Sequence, residues 1–170
     1  MDKKAFYRIS YGLYIVASGK EGKYGGQIAN TVFQVTAEPA TIAVSINKQN
    51  HTHGLIVASG NFTVSVLEEA TPMTLIGRFG FKSGRDTDKF ADTQIKTGIT
   101  GIPVVTEHAV AFLEAEVIGS MDCGTHTIFL GRVLEAEVLG ESEPLTYAYY
   151  QKVKGGKAPK NAPTYQAAES

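Results

Sequence analysis

The sequence predicts a mainly β protein, an antiparallel barrel that is closed or partly closed and carries a few short helices. Three observations predict it. Short runs rich in Val, Ile, Thr and Phe recur along the chain between turn residues. Eighteen glycines (Gly 18) and no tryptophan in 170 residues supply the punctuation. The helical patterns are few and inserted among the strands, which favours a barrel over a parallel doubly wound sheet.

The elements follow in order. The spacing predicts a strand over 11–18, and the glycines around 20–23 turn the chain into a second strand over 27–35, a hairpin. Residues 40–48 alternate, with Ile42, Val44 and Ile46 on one face and Thr41, Ala43, Ser45 and Asn47 on the other. A short helical pattern over 52–59 ends at Gly60, and a strand over 61–67 follows. Thr71 before Pro72 marks a helix start, with Met73, Leu75, Ile76 and Phe79 as its apolar face. Two longer strands over 109–117 and 127–138 are separated at Gly119 and Gly124 as by a hairpin connection. The predicted domain is 1–151, and the Lys, Gly, Pro and Ala of 152–170 read as a tail, either a linker or an arm lying on a partner.

Composition narrows the function. An apolar content of 43% in 170 residues supports one sizeable core. Sixteen basic residues (Lys+Arg 16) against 17 acidic ones leave a charge of −1, without the basic excess that nucleic-acid binding calls for. No stretch approaches the roughly 20 apolar residues of a membrane helix, and the chain opens into Phe6, Tyr7 and Arg8 rather than a signal core. A cytoplasmic protein without nucleic-acid or membrane partners is expected. Cys123 is the lone cysteine and the four histidines lack metal-ligand spacing, so a redox role calls for an organic cofactor rather than a metal.

Three polar clusters are candidates for binding. In the first, 45–53, the polar face of a strand runs into a helix start, where unpaired N–H groups and the helix dipole attract phosphate and Lys48 adds charge. The same residues also suit an ordinary helix capped by Asn50 or Thr52, which on spacing alone is the commoner outcome. The second, 25–31, puts Gln27, Asn30 and Thr31 beside two glycines that let a flat ring or another backbone approach; a hairpin turn with a bulge is the alternative. In the third, 80–90, Arg85 and Lys89 either meet an anionic ligand or belong to a solvated loop. His126 opens the last long strand, where a histidine assists proton or hydride transfer or serves as a structural residue.

Taken in order, the segments GQIANTVF (26–33), VSINKQNHT (44–52), SGNFTVSVL (59–67), DKF (88–90) and GTHTIFLG (124–131) resemble the flavin reductase-like family. The resemblance covers nearly the whole chain and implies the family's fold, an antiparallel Greek-key split barrel. Within the family the likeness is to the flavin reductase domain of high-molecular-weight rubredoxins, carried by ISYGLY (9–14), RFGFKSGR (78–85) and TYAYY (146–150). It implies a homodimer with FMN near the subunit interface, the ring against Gln27, Ile28, Ala29, Asn30 and Thr31. The phosphate side would be met by Ser45, Ile46, Asn47, Lys48, His51 and Thr52, with Arg85 and Lys89 as helpers. His126 matches the histidine of the family's Gly-Asp-His pattern, although Thr125 stands where the aspartate would be. The implied activity is hydride transfer from NADH or NADPH to the flavin, with electrons passing on to rubredoxin, another electron-carrier protein or a small acceptor. A flavoredoxin-like relay that NAD(P)H does not reduce, or a flavin-binding sensor module without turnover, are the competing readings.

Overall fold

The structure, a computed structural model, describes residues 1–165; the last part of the expected tail, 166–170, lies outside the described residues. Seven strands form one antiparallel sheet: β1 (Tyr14–Lys20), β2 (Lys23–Ala29), β3 (Val32–Thr36), β4 (Thr41–Asn47), β5 (Asn61–Leu67), and the longer strands Ala109–Asp122 and His126–Val138. A two-stranded ribbon, β6 (Ile95–Thr97) with β7 (Pro103–Val105), precedes those long strands, which are therefore β8 and β9. Spatial order in the large sheet is β2-β1-β5-β8-β9-β4-β3. Three helices are inserted, α1 (His51–Ser59), α2 (Met73–Phe81) and α3 (Tyr147–Lys152), with a 3₁₀ turn at Lys3–Arg8.

The first hairpin is local in origin. Glu21 and Gly22 both take positive φ (55° and 82°), the two-residue turn that matches the right-handed twist of paired strands. Its second strand is shorter than expected. The strand expected over 27–35 is two strands, broken at Asn30 and Thr31, and the two halves belong to the opposite edges of the seven-stranded sheet. Two residues span at most roughly 11 Å between Ala29 and Val32, so the sheet must roll until its edges meet at this corner. The edges meet without joining their ladders, which is the split of the barrel.

Both faces of the central strands are buried. Val16, Val44, Ile46, Phe62, Val64 and Phe129 fill the barrel, with Ile56 of α1 packed among them. Ile15 and Ala17, which alternate with Val16, point the other way and meet Leu75, Ile76 and Phe79 of α2. Gly60, with φ 70°, ends α1 as expected, its N–H bonding Ile56 O at 2.9 Å.

Other differences have plain causes. The strand expected over 11–18 starts at Tyr14, because Tyr11, Gly12 and Leu13 pair instead with the chain at 145–147. Gly119 does not end a strand; it lies inside β8 at a register shift, and the turn falls at Gly124, where φ is 79°. The ribbon of β6 and β7 and the helix α3 were not expected, the strands being three residues each and the helix six.

Candidate functional site

A cavity of about 390 Å³ opens beside the split, walled by β2, the end of β4, the start of α1, one face of α2 and the loop 82–89. The glycines of β2 serve packing on its flanks. A Cβ on Gly25 would stand 2.7 Å from Leu55, and one on Gly26 3.1 Å from Phe79, so these positions let the two helices seat against the strand.

The turn into α1 is built by Asn47, whose Oδ1 accepts from Gln49 N at 2.9 Å. Asn50 occupies the N-cap position, yet its side chain makes no cap bond. It donates instead to Gln27 Oε1 at 3.1 Å and accepts from Asn161 Nδ2 at 3.1 Å. The start of α1 is thus left without the side-chain oxygen that would ordinarily satisfy it, and its positive end borders the cavity beside His51 and Thr52.

Charge converges on the same place. Gly84 brings the 82–89 loop so close to His51 that a Cβ on it would stand 3.3 Å from the imidazole ring. Arg85 reaches Gln49 O at 3.5 Å. Lys89 is buried at 5% exposure and donates to Gly26 O (2.8 Å) and Phe79 O (3.2 Å). Burial pushes its ammonium down to about 8. Loss of solvent, then the charges of Arg85 and Lys89, push the His51 imidazole below its ordinary value. Lys82, Arg85, Lys89, Lys157 and Lys160 all line the cavity, and among the described lining residues there is no Asp or Glu. In a chain whose net charge is −1, so one-sided a wall is a site for an anion. Beside it, Ile28, Ile76, Phe79, Tyr147 and Tyr150 offer apolar surface, the two tyrosine rings stacked at 5.8 Å, and Gln27, Asn30 and Ser45 offer hydrogen-bonding groups. One anionic group, one flat apolar body and one polar edge are what FMN presents, and the residues here fit it.

The structure brings together on this wall Gln27, Ile28, Ala29, Asn30, Ser45, Asn47, His51, Thr52, Arg85 and Lys89. It does not bring the other expected positions there. Ile46 is fully buried in the barrel core because the alternation of β4 aims it inward. Lys48 lies beyond the end of β4 and pairs with Asp122 at 2.6 Å. Thr31 donates to Asn30 Oδ1 at 3.1 Å and lines a second, apolar cleft on the other side of the corner. His126 lies off the wall. Its Nε2 donates to the carbonyl of Asn161 at 3.2 Å, which fixes the tautomer and leaves Nδ1 to accept from Thr125 Oγ1 at 2.9 Å.

The sequence reading missed the cover of the cavity. Residues 157–163 cross it within the same subunit, and Tyr147 and Tyr150 of α3 line it from the same side. The spacing of those tyrosines, three apart on one helix face, was a readable signal; nothing in the composition of 157–163 was.

The fold and the site define a split-barrel protein with a cationic, partly apolar cavity beside the gap in its sheet. The chain belongs to the flavin reductase like domain family, whose model matches residues 6–156. It is 55% identical over 165 residues to a ferric-chelate reductase (NAD(P)H) of Archaeoglobus fulgidus, covering 97% of this chain and 98% of that one. To a high molecular weight rubredoxin of Moorella thermoacetica it is 53% identical, covering 97% of this chain and 72% of the relative. Among solved structures it is similar to an NADH:FAD oxidoreductase of Streptomyces globisporus, with a TM-score of 0.77 at 28% identity over 85% of each chain.

Proposed function

We propose that this protein is an NAD(P)H-dependent flavin oxidoreductase that holds FMN in the cavity beside the barrel split. The observation that carries this reading is the cationic wall, without an acidic residue among its described lining, at the uncapped start of α1, in a chain of the flavin reductase like family. Flavin bound there would supply the redox chemistry, the transfer of a hydride from NADH or NADPH and of electrons to an acceptor. The N–H groups of His51 and Thr52, with Arg85 and Lys89, bind and orient the phosphate. Gln27, Asn30 and Ser45 set the position of the polar ring edge, while Ile28, Phe79 and the paired tyrosines exclude water from the ring. A single anion site and a cavity of this size suit a mononucleotide, and no protein acid or base is required by the transfer.

Three finer readings accompany it. A homodimer is supported by β3, an edge strand exposing Phe33 and Val35, and by the apolar cleft beside it lined by Ile9, Tyr11, Val32 and Phe33. An electron-carrier protein such as a rubredoxin as acceptor is supported by the likeness to the Moorella protein. A cytoplasmic setting agrees with there being no helix among the described residues long and apolar enough to cross a membrane. The barrel and the tail segment over its cavity act as one functional unit in this reading.

The deciding experiment is the visible spectrum of the purified protein, taken without oxygen before and after NADH and then NADPH. Rapid bleaching of a flavin band is the expected result. A flavin band that persists would reduce the protein to a relay or a sensor, and a colourless protein that fails to take up added FMN would overturn the reading altogether.

A further inference from the structure

Hydride transfer needs two ligands at once, the reacting atoms held roughly 3–3.5 Å apart. The cavity has room for one. At about 390 Å³ it lies near the lower end of the roughly 300–1,000 Å³ that a single drug-sized ligand occupies. Residues 157–163 lie across part of its mouth, so a second ligand that reaches the first from that side needs them to move.

Most of the wall cannot. β2 and β4 are held by ladders, and α1 and α2 are pinned by Ile56, Ile76 and Phe79 in the two cores. The cover is different. The backbone hydrogen bonds of 153–165 stay within the segment or reach back to α3, as in Gly156 N to Tyr150 O at 3.0 Å and Ala162 N to Pro159 O at 2.9 Å. Residues 157–164 are tied to the rest of the molecule by a few hydrogen bonds that involve side chains, the first from the Tyr150 hydroxyl to Lys157 O at 3.0 Å. Asn161 donates to Asn50, His126 donates to the Asn161 carbonyl, Asn30 donates to Thr164 Oγ1 at 2.8 Å, and Thr164 donates to the Tyr147 hydroxyl at 3.2 Å. The segment begins at a natural pivot. Gly155 takes φ 65°, and Gly156 passes so close to the Tyr150 ring that a Cβ would stand 2.1 Å from it.

We propose that residues 157–164 are a gate that occupies the nicotinamide's place over the flavin site, held shut by His126, Asn50 and Asn30, and that pyridine nucleotide binds only when it swings out. The inference rests on the flavin oxidoreductase reading. It gives His126 a role: a positioning residue that acts through the Asn161 carbonyl, its other ring nitrogen held by Thr125. It also explains why Asn50 leaves the start of α1 uncapped, since its side chain is the link between Gln27 and the gate.

A closed gate lowers the apparent affinity for nucleotide by the fraction of time it stands open. Weakening one ordinary hydrogen bond of the latch raises that fraction about fivefold. The test uses the full chain loaded with FMN and two readouts. Trypsin cleavage after Lys157 and Lys160 should quicken several-fold in Asn161→Ala, and in the wild type when saturating NAD⁺ or NADP⁺ is added. In anaerobic stopped-flow, Asn161→Ala and His126→Ala should lower the apparent Kd for the reducing nucleotide about fivefold at an unchanged limiting rate of bleaching. His126→Gln, which keeps a donor, should return it toward the wild-type value. Wild-type bleaching together with unchanged nucleotide affinity in both alanine variants overturns the gate alone. No bleaching of the wild type overturns the oxidoreductase reading, and cleavage unaffected by nucleotide and by Asn161→Ala then removes the gate with it.

Discussion

Raising the pH through 8 should discharge the buried cation at the phosphate site, and with it most of the affinity for FMN. Lys89 is 5% exposed, its ammonium donates to the carbonyls of Gly26 and Phe79, and burial brings it from an ordinary 10.5 down to about 8. A phosphate dianion beside it favours the charged form, so the loaded protein keeps this proton to higher pH than the empty one. Ligand therefore prefers the protonated site: affinity is full below pH 8 and falls above it, by roughly tenfold at pH 9, until the loaded lysine itself titrates. The assay is quenching of FMN fluorescence titrated between about pH 7 and 9.5, for the wild type and Lys89→Met. The wild type should show the decline, and the variant should bind weakly at neutral pH with little further loss. A wild-type affinity flat across that range, or the same slope in Lys89→Met, refutes the placement of the phosphate beside Lys89.

Two further predictions separate the site from the scaffold. Arg85→Ala should weaken FMN binding by about 1 kcal/mol, roughly fivefold, as for an exposed charge-assisted contact, whereas Lys48→Ala, whose ammonium is engaged by Asp122, should change it less than roughly twofold; equal losses in the same fluorescence titration would place the phosphate at the end of β4 instead. Glu114 is fully buried and accepts from Ile99 N (2.8 Å), Thr100 N (2.7 Å) and the Thr100 hydroxyl. Glu114→Ala strands those donors and should cost roughly 2–4 kcal/mol of stability in urea unfolding, with Glu114→Gln between; an unchanged midpoint would show that the 98–101 loop opens to water without cost.

What was legible in the sequence is what local chemistry decides. Gly60 had to end α1, the alternation of 41–47 had to be a strand, and the glycines near 20–23 had to make a turn, because each follows from neighbours within a few residues. What was not legible depends on partners far along the chain. In the run over 27–35 the polar pair Asn30 and Thr31 suits a bulge within one strand as well as a break between two; only the roll of the sheet puts Ala29 and Val32 on opposite edges. Lys48 and Arg85 look alike as cations near a phosphate motif, and the difference between them is Asp122, 74 positions away from Lys48. The Ala-Pro pairs at 158–159 and 162–163 argue against a regular element, so a segment crossing the cavity could not be told from a linker.

The corner at Asn30 and Thr31 links the fold to the chemistry. A sheet whose edge strands are consecutive in sequence, with two residues between them, cannot lie flat, and the break it needs leaves backbone and side-chain polar groups that no ladder satisfies. Part of that demand is met internally: Thr31 O accepts from Ser45 N at 3.1 Å, and Thr31 Oγ1 donates to Asn30. The remainder faces outward, on one side into the cationic cavity through Asn30 and on the other into the apolar cleft through Thr31. Ligand site and proposed dimer surface are thus two faces of one irregularity. Asn30 binds the gate residue Thr164 as well, so a change at this corner acts on ligand, gate and subunit contact together. Asn30→Ala should accordingly loosen the gate and disturb the ring-edge contacts at once, lowering FMN affinity while lowering the apparent Kd for nucleotide, a pairing that neither Asn161→Ala nor Arg85→Ala alone would produce. Loss of FMN affinity with no change in nucleotide affinity would separate the corner from the gate.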